Sequence, residues 1–112
     1  MTEGSLVLAR LPQADGALKS RPALVLRTLP PFGDLLVCGV SSQLRQEVLG
    51  FDEMLTSASP DFAGSGLYLP SLIRLGYLAA LPLPRIVGEM GRIAPERHHR
   101  LLQRLSDFLK PV

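Results

Sequence analysis

Two short polar clusters carry the residue types best suited to chemistry, and each lies at the end of an apolar run. The first is Asp15-Gly16-Ala17-Leu18-Lys19-Ser20-Arg21, which leads into Pro22-Ala23-Leu24-Val25-Leu26. The second is Ser41-Ser42-Gln43, which follows Leu35-Leu36-Val37-Cys38-Gly39-Val40. Between the apolar runs stands Leu29-Pro30-Pro31-Phe32-Gly33-Asp34, whose Pro, Gly and Asp favour reversal of the chain. If the runs pair as antiparallel strands about a centre near residues 31 and 32, paired positions sum to about 62 or 63. Arg21 then faces Ser41 or Ser42. A guanidinium beside a hydroxyl is an anion site, and phosphate fits the planar fork of arginine. Arg21 and Ser41 are therefore the leading candidates, with Lys19, Ser42 and Gln43 placed to bind the same anion. A guanidinium stays protonated, so its role is electrostatic rather than acid–base. Asp15 is the nearest acid in the loop and the candidate general base. It is also a residue type that forms turns through its own backbone.

Other reactive types are poorly placed. His98 and His99 have side chains whose pKa suits proton transfer. They fall on the polar side of a C-terminal helix, far from Arg21 along the chain, and read as solvated. No third ligand accompanies them, so no zinc site is expected. Cys38 lies inside an apolar run with no basic neighbour and reads as a buried, inert thiol. No glycine-rich phosphate loop and no Ser-His-Asp pattern is visible. No metal or cofactor is expected.

The elements that must position the two clusters are short and punctuated. Ser5 to Leu11 reads as a strand ended by Pro12. Gln13 to Ser20 reads as a loop with Asp15-Gly16 as its turn. Ala23 to Thr28 and Leu35 to Val40 read as the next two strands, the latter apolar on both faces and hence well buried. Gln43 to Leu49 suits a helical turn, Gly50 to Leu55 a further strand, and Thr56 to Gly66 a loop or irregular helical turn. Ser71 to Leu81 reads as a long strand. Pro82-Leu83-Pro84 interrupts the chain. Ile86 to Ile93, with Gly88 and Gly91, suits a bent or bulged strand. Pro95 fits the first position of a helix, along which Leu101, Leu102, Leu105, Phe108 and Leu109 form one stripe. Pro111 ends it. The chain has 23 Leu against 10 Val plus Ile, which tilts propensity toward helix. The apolar runs are too short and too interrupted by Pro and Gly to obey that tilt. The expected architecture is mainly β, with short strands closing into a small barrel and one helix packed outside.

Composition bounds the partners. A chain of 112 residues with 46% hydrophobic residues suits one domain with a small core. A net charge of +2 is too mild to argue nucleic-acid binding by itself. Six aromatic residues are few for a long stacking surface. A single cysteine excludes an internal disulfide and fits a reducing compartment. No run is long enough to span a membrane, and the N-terminus lacks the basic region of a signal peptide. The expected location is the cytoplasm.

The motifs, taken in order, resemble those of the MazF/PemK-like toxins of type II toxin–antitoxin systems. The resemblance rests on Gly4-Ser5-Leu6-Val7-Leu8, on Asp15-Gly16, and on Lys19-Ser20-Arg21-Pro22-Ala23-Leu24-Val25-Leu26. It continues through Val40-Ser41-Ser42-Gln43, Gly66-Leu67-Tyr68-Leu69-Pro70-Ser71-Leu72-Ile73-Arg74 and Gly88-Glu89-Met90-Gly91-Arg92-Ile93. It implies an SH3-like barrel over residues 1–112, a homodimer, and a cognate antitoxin that wraps and blocks the toxin. It implies a metal-independent endoribonuclease that cuts single-stranded RNA and leaves a 2′,3′-cyclic phosphate. By the same resemblance Arg21 matches the family's active-site arginine and Ser41 its active-site threonine. Arg74 matches a strand arginine that serves as acid or phosphate ligand, and Ser71 the serine of that strand. Two positions depart from the family. Ala17-Leu18-Lys19-Ser20 holds no acid between the turn glycine and the Arg-Pro pair, and Gly76 stands where the PemK/Kid branch has an Asp. The resemblance therefore assigns no general base. A second expectation stays open beside the enzyme. It is a catalytically silent barrel that binds RNA, or a protein target in the manner of CcdB-like toxins.

Overall fold

The computed structural model describes all residues, 1–112. Six strands form one antiparallel sheet: β1 (Ser5–Pro12), β2 (Leu18–Leu29), β3 (Asp34–Ser41), β4 (Glu53–Leu55), β5 (Ser71–Leu81) and β6 (Ile86–Arg92). Their order across the sheet is β4-β5-β3-β2-β1-β6. A single helix, α1 (Pro95–Leu109), follows, with Pro95 at its first turn. Short 3₁₀ turns occupy Leu44–Gln46, Ala63–Ser65 and Leu83–Arg85.

The central hairpin has the register that its turn dictates. Ala23 pairs with Gly39, Leu24 with Cys38 and Val25 with Val37, so partners sum to 62. Beyond a one-residue irregularity at Leu26, Arg27 pairs with Leu36 and Thr28 with Leu35, which sum to 63. The β1–β2 hairpin is longer than the sequence suggests. Leu18 to Pro22 continues the ladder, pairing with Pro12 back to Leu8. The loop expected over Gln13–Ser20 shrinks to residues 13–17. Gln13 N–H donates to the Ala17 carbonyl at 2.8 Å across its neck, and Asp15 Oδ1 accepts from Ala17 N–H at 2.9 Å inside it. Tertiary pairing has extended β2 through residues with no strand signal of their own.

Strand alternation sorts the core onto two faces. Leu6, Leu24, Leu26, Cys38, Ile73 and Leu75 pack with Leu101 and Leu105 of α1. Val7, Ala9, Leu11, Ala23, Val25 and Val37 form a second cluster that contains no helical residue, yet each is buried. The sheet must therefore curl over this second face to exclude water. The curl falls short of the expected closed barrel. The edge strands β4 and β6 do not pair. The turn at Ala63–Ser65 fills the gap against β6, and a Cβ at Gly91 would collide with the carbonyl of Gly64. As expected, β6 is bulged, with shifts in its register to β1.

A charged network fastens α1 across the sheet. Arg97 reaches Glu53 at 2.6 Å and Asp61 at 2.8 Å, Arg100 reaches Glu53 at 2.6 Å, and Arg104 reaches it at 3.2 Å. Asp61 also accepts from Ala94 N–H at 2.9 Å, so a side chain from a distant loop satisfies a donor at the helix start. His98 departs from its expected solvated place. It is half-buried, with Nε2 2.9 Å from the Leu26 carbonyl, and ties α1 to β2. His99 is exposed. Phe108 and Leu109 lie largely in solvent at the end of the expected apolar stripe. Phe108 keeps one aromatic contact, its ring 5.1 Å from that of Phe51. No helix is long and apolar enough to cross a membrane.

Candidate active site

The β2–β3 ladder ends at Ala23 and Gly39, and beyond that pair the two strands diverge. Arg21 and Pro22 on one side, and Val40 and Ser41 on the other, line a cleft of about 440 Å³. Pro22 brings no amide hydrogen, which suits a position where the ladder stops. Polar residues after β3 extend the same wall: Ser42 and Gln43 also line the cleft. The Ser41 hydroxyl oxygen accepts from Gln43 N–H at 3.0 Å. That bond fixes the oxygen and leaves its proton free to donate into the cleft.

The opposite wall comes from β5 through a large bulge. Cys38 pairs with Leu78, but the next residue, Gly39, pairs with Arg74. Leu75, Gly76 and Tyr77 are looped out between them. Bulges bend a strand and re-aim its side chains, and here the bulge delivers both Arg74 and Tyr77 to the cleft. Two contacts hold it. The buried amide of Leu75 donates to Asp52 Oδ1 at 3.0 Å, while Asp52 Oδ2 accepts from Val48 N–H at 2.9 Å. The Tyr77 hydroxyl donates to the Pro12 carbonyl at 2.7 Å, which ties the bulge to the base of the β1–β2 turn. Gly39 makes room for this strut, since a Cβ there would come within 3.3 Å of the tyrosine ring.

Of the residues singled out from sequence, Arg21, Ser41, Ser42, Gln43, Ser71 and Arg74 line this one cleft. Ser71 is buried, and its hydroxyl donates to the Leu69 carbonyl at 2.8 Å, so it presents an acceptor and no free proton. Asp15 and Lys19 are not on the cleft wall. Asp15 is held in its turn by the Ala17 amide, and Lys19 lies exposed opposite Leu11. Tyr68, Tyr77 and the brace Asp52 carried no sequence signal, because their places depend on a bulge and a loop that pairing rules do not foretell.

Electrostatically the cleft is one-sided. Its wall carries two guanidinium groups and no carboxylate or imidazole. Neither Arg21 nor Arg74 belongs to an ion pair; the pairs formed by the chain involve other groups. Unpaired guanidinium groups converging with hydroxyls make a receptor for an anion with several oxygens. Cys38, whose side chain packs in the core on the helix side of β3, takes no part. Burial, helped by the charge of Asp52, pushes its thiol up to about 12, so it stays protonated and inert.

Comparison with known proteins agrees with this architecture. The family model described as "PemK-like, MazF-like toxin of type II toxin-antitoxin system" matches residues 2–109. The fold is similar to that of the Mycobacterium tuberculosis toxin MazF-mt6, with a TM-score of 0.68 and 18% identity over 92% of this chain and 93% of that one. It is also similar to a chain in the crystal structure of MazE-MazF (Form-II) from Deinococcus radiodurans. There the TM-score is 0.67 and the identity 18%, over 100% of this chain and 97% of that one. At that identity the likeness speaks for the fold and leaves the role of each side chain to its own chemistry.

Proposed function

Because the chain belongs to the PemK-like, MazF-like toxins of type II toxin–antitoxin systems, we propose that it is an endoribonuclease that cuts single-stranded RNA in the cleft between β2, β3 and β5. The observation that carries the reading is the pairing of Arg21 and Arg74 across one cleft lined by serine hydroxyls and free of carboxylates. A scissile phosphate fits such a receptor. Cleavage by the neighbouring 2′-hydroxyl builds negative charge on the phosphorane, and fixed cations stabilise that charge more than the ground state. Arg21 and Arg74 hold the non-bridging oxygens, and the Ser41 hydroxyl donates to one of them. Ser42 and Gln43 bind the adjoining backbone. The products are a 2′,3′-cyclic phosphate and a 5′-hydroxyl.

The base role does not go to Asp15, which is engaged in its turn and stands outside the cleft wall. The 2′-hydroxyl proton passes to solvent hydroxide, the departing 5′-oxygen takes a proton from water, and the protein contributes positioning and charge. Metal independence follows from the family resemblance and is part of the proposal. So are a homodimer and a cognate antitoxin, the latter by analogy with the MazE-MazF complex among the similar structures. Both suit a protein acting in the cytoplasm.

Purified protein incubated with single-stranded RNA in EDTA tests the reading. The wild type should cut and leave cyclic phosphate ends. Arg21→Ala should keep the fold and lose about a hundredfold or more in rate, the scale of removing one transition-state charge ligand. No cleavage by the wild type, or equal cleavage by the variant, would defeat it. A cleft without carboxylate or imidazole also favours a second reading, RNA binding without cleavage. Retained binding with no cut ends would identify it.

A further inference from the structure

Six aromatic residues serve this chain, and most have structural work. Phe51 and Phe108 pack on each other, and Phe51 and Phe62 pack against the core. The Tyr77 hydroxyl is committed to Pro12. Phe32 is 86% exposed at the β2–β3 turn, away from the cleft. Tyr68 is different. It is 94% exposed, its hydroxyl has no partner, and it lines the cleft with Arg21 and Arg74.

The segment that carries Tyr68 is braced by close packing and hydrogen bonds. Gly66 has φ of +79°, and a Cβ there would collide with the carbonyl of Met90 on β6. The buried Ser65 hydroxyl donates to the Phe62 carbonyl at 2.6 Å and accepts from Leu67 N–H at 3.1 Å. Beyond Tyr68, the Leu69 carbonyl is held by Ser71, and Pro70 stiffens the backbone between them. The ring is thus presented on a fixed arm at the cleft rim, with Leu67 and Leu69 beside it. A large aromatic face held in water gains nothing for folding. Beside a phosphate receptor it supplies the second half of nucleotide recognition, a flat surface for the base.

We propose that Tyr68 is a nucleobase platform on which one base of a single-stranded RNA stacks when its phosphate engages Arg21 and Arg74. The inference rests on the RNA reading of the cleft and adds a base subsite to it. The unpaired positive charge beside the ring favours a polyanion over a peptide as the occupant. Stacking tolerates any base, so this subsite strengthens binding without selecting a sequence.

The test uses a short mixed-sequence RNA carrying 2′-fluoro sugars, which has no nucleophile and cannot be cut, with 2-aminopurine as a fluorescent base. A matching oligomer of abasic spacers keeps the phosphates and lacks the bases. The wild type should quench the fluorescence. Tyr68→Ala should weaken binding of the base-containing oligomer by about 5- to 150-fold, the range of one aromatic stack. It should leave the abasic oligomer unaffected, and Tyr68→Trp should bind at least as well as the wild type. Equal binding of the base-containing oligomer by Tyr68→Ala would overturn the platform. So would an equal loss for both oligomers, which would mean that the ring shapes the cleft. A loss confined to binding of a partner protein would show that the ring serves a protein interface instead. If the wild type binds neither oligomer, the RNA reading itself falls and the platform with it.

Discussion

Arg21 and Arg74 reach one cleft from strands that neither follow one another in sequence nor pair directly, and no acid accompanies them. This has a kinetic consequence for the proposed cleavage. A carboxylate or imidazole base would give a rate that rises and then levels near its pKa. With neither on the wall, the rate of the chemical step should climb with pH across about 5 to 8 without a plateau. Single-turnover cleavage of RNA over that range measures it, and a plateau there would mean that a titrating base reaches the phosphate after all. The sequence showed half of this residue-scale picture. Arg21 and Ser41 line one cleft because each lies two residues beyond the hairpin's last pair, Ala23 and Gly39. That Asp15 does not join them was not legible, since an Asp-Gly turn can point its carboxylate inward or use it on its own backbone, and the local sequence is the same.

Among the elements, the bulged stretch of β5 decides the most. Leu75 keeps its side chain in the core while its amide would have no strand partner. Asp52 is the answer to that orphan donor. Removing a partner and leaving a buried donor unsatisfied costs about 1–3 kcal/mol. Asp52→Ala should lower stability by at least that amount in urea unfolding. Asp52→Asn, which keeps one acceptor oxygen, should lose less. Unchanged stability of the alanine variant would show that the bulge stands without its brace. The strand containing Arg74 was evident from its residues, and its bounds, Ser71 to Leu81, are those expected. The bulge was not. It arises where Leu75 enters the core, Gly76 passes Phe51 and Tyr77 crosses Gly39, three demands from three parts of the chain.

The whole molecule is held together by a sheet that curls without closing and by a helix tied down through charge. Glu53 is the centre of that tie. Burial would raise its carboxyl, but the hydrogen bond from Arg100 and the charges of Arg100, Arg97 and Arg104 outweigh burial and hold it below its ordinary value of 4.5. Asp61 behaves alike: burial opposes, and the hydrogen bonds from Arg97 and the Ala94 amide prevail, holding it below 3.8. Both acids therefore bind protons less readily in the folded chain than in the unfolded one. Their contribution is complete above those ordinary values and is lost as pH falls through the lower folded ones. Thermal unfolding followed from pH 7 downward should show stability falling below about pH 4.5, and Glu53→Gln should flatten that fall. An unchanged slope in the variant would place the acid sensitivity elsewhere.

Periodicity, punctuation and turn chemistry determined the strands, the central register and the helix from Pro95, because each depends on residues close together in the chain. They also set Arg21 and Ser41 on one cleft. Only the tertiary structure decided that the sheet stays open, that His98 turns inward, that Arg74 lines the same cleft as Arg21 and that Tyr68 stands bare at its rim. Those outcomes depend on which distant segments compete for the same space and on which buried amides find a partner, and no local pattern encodes that competition.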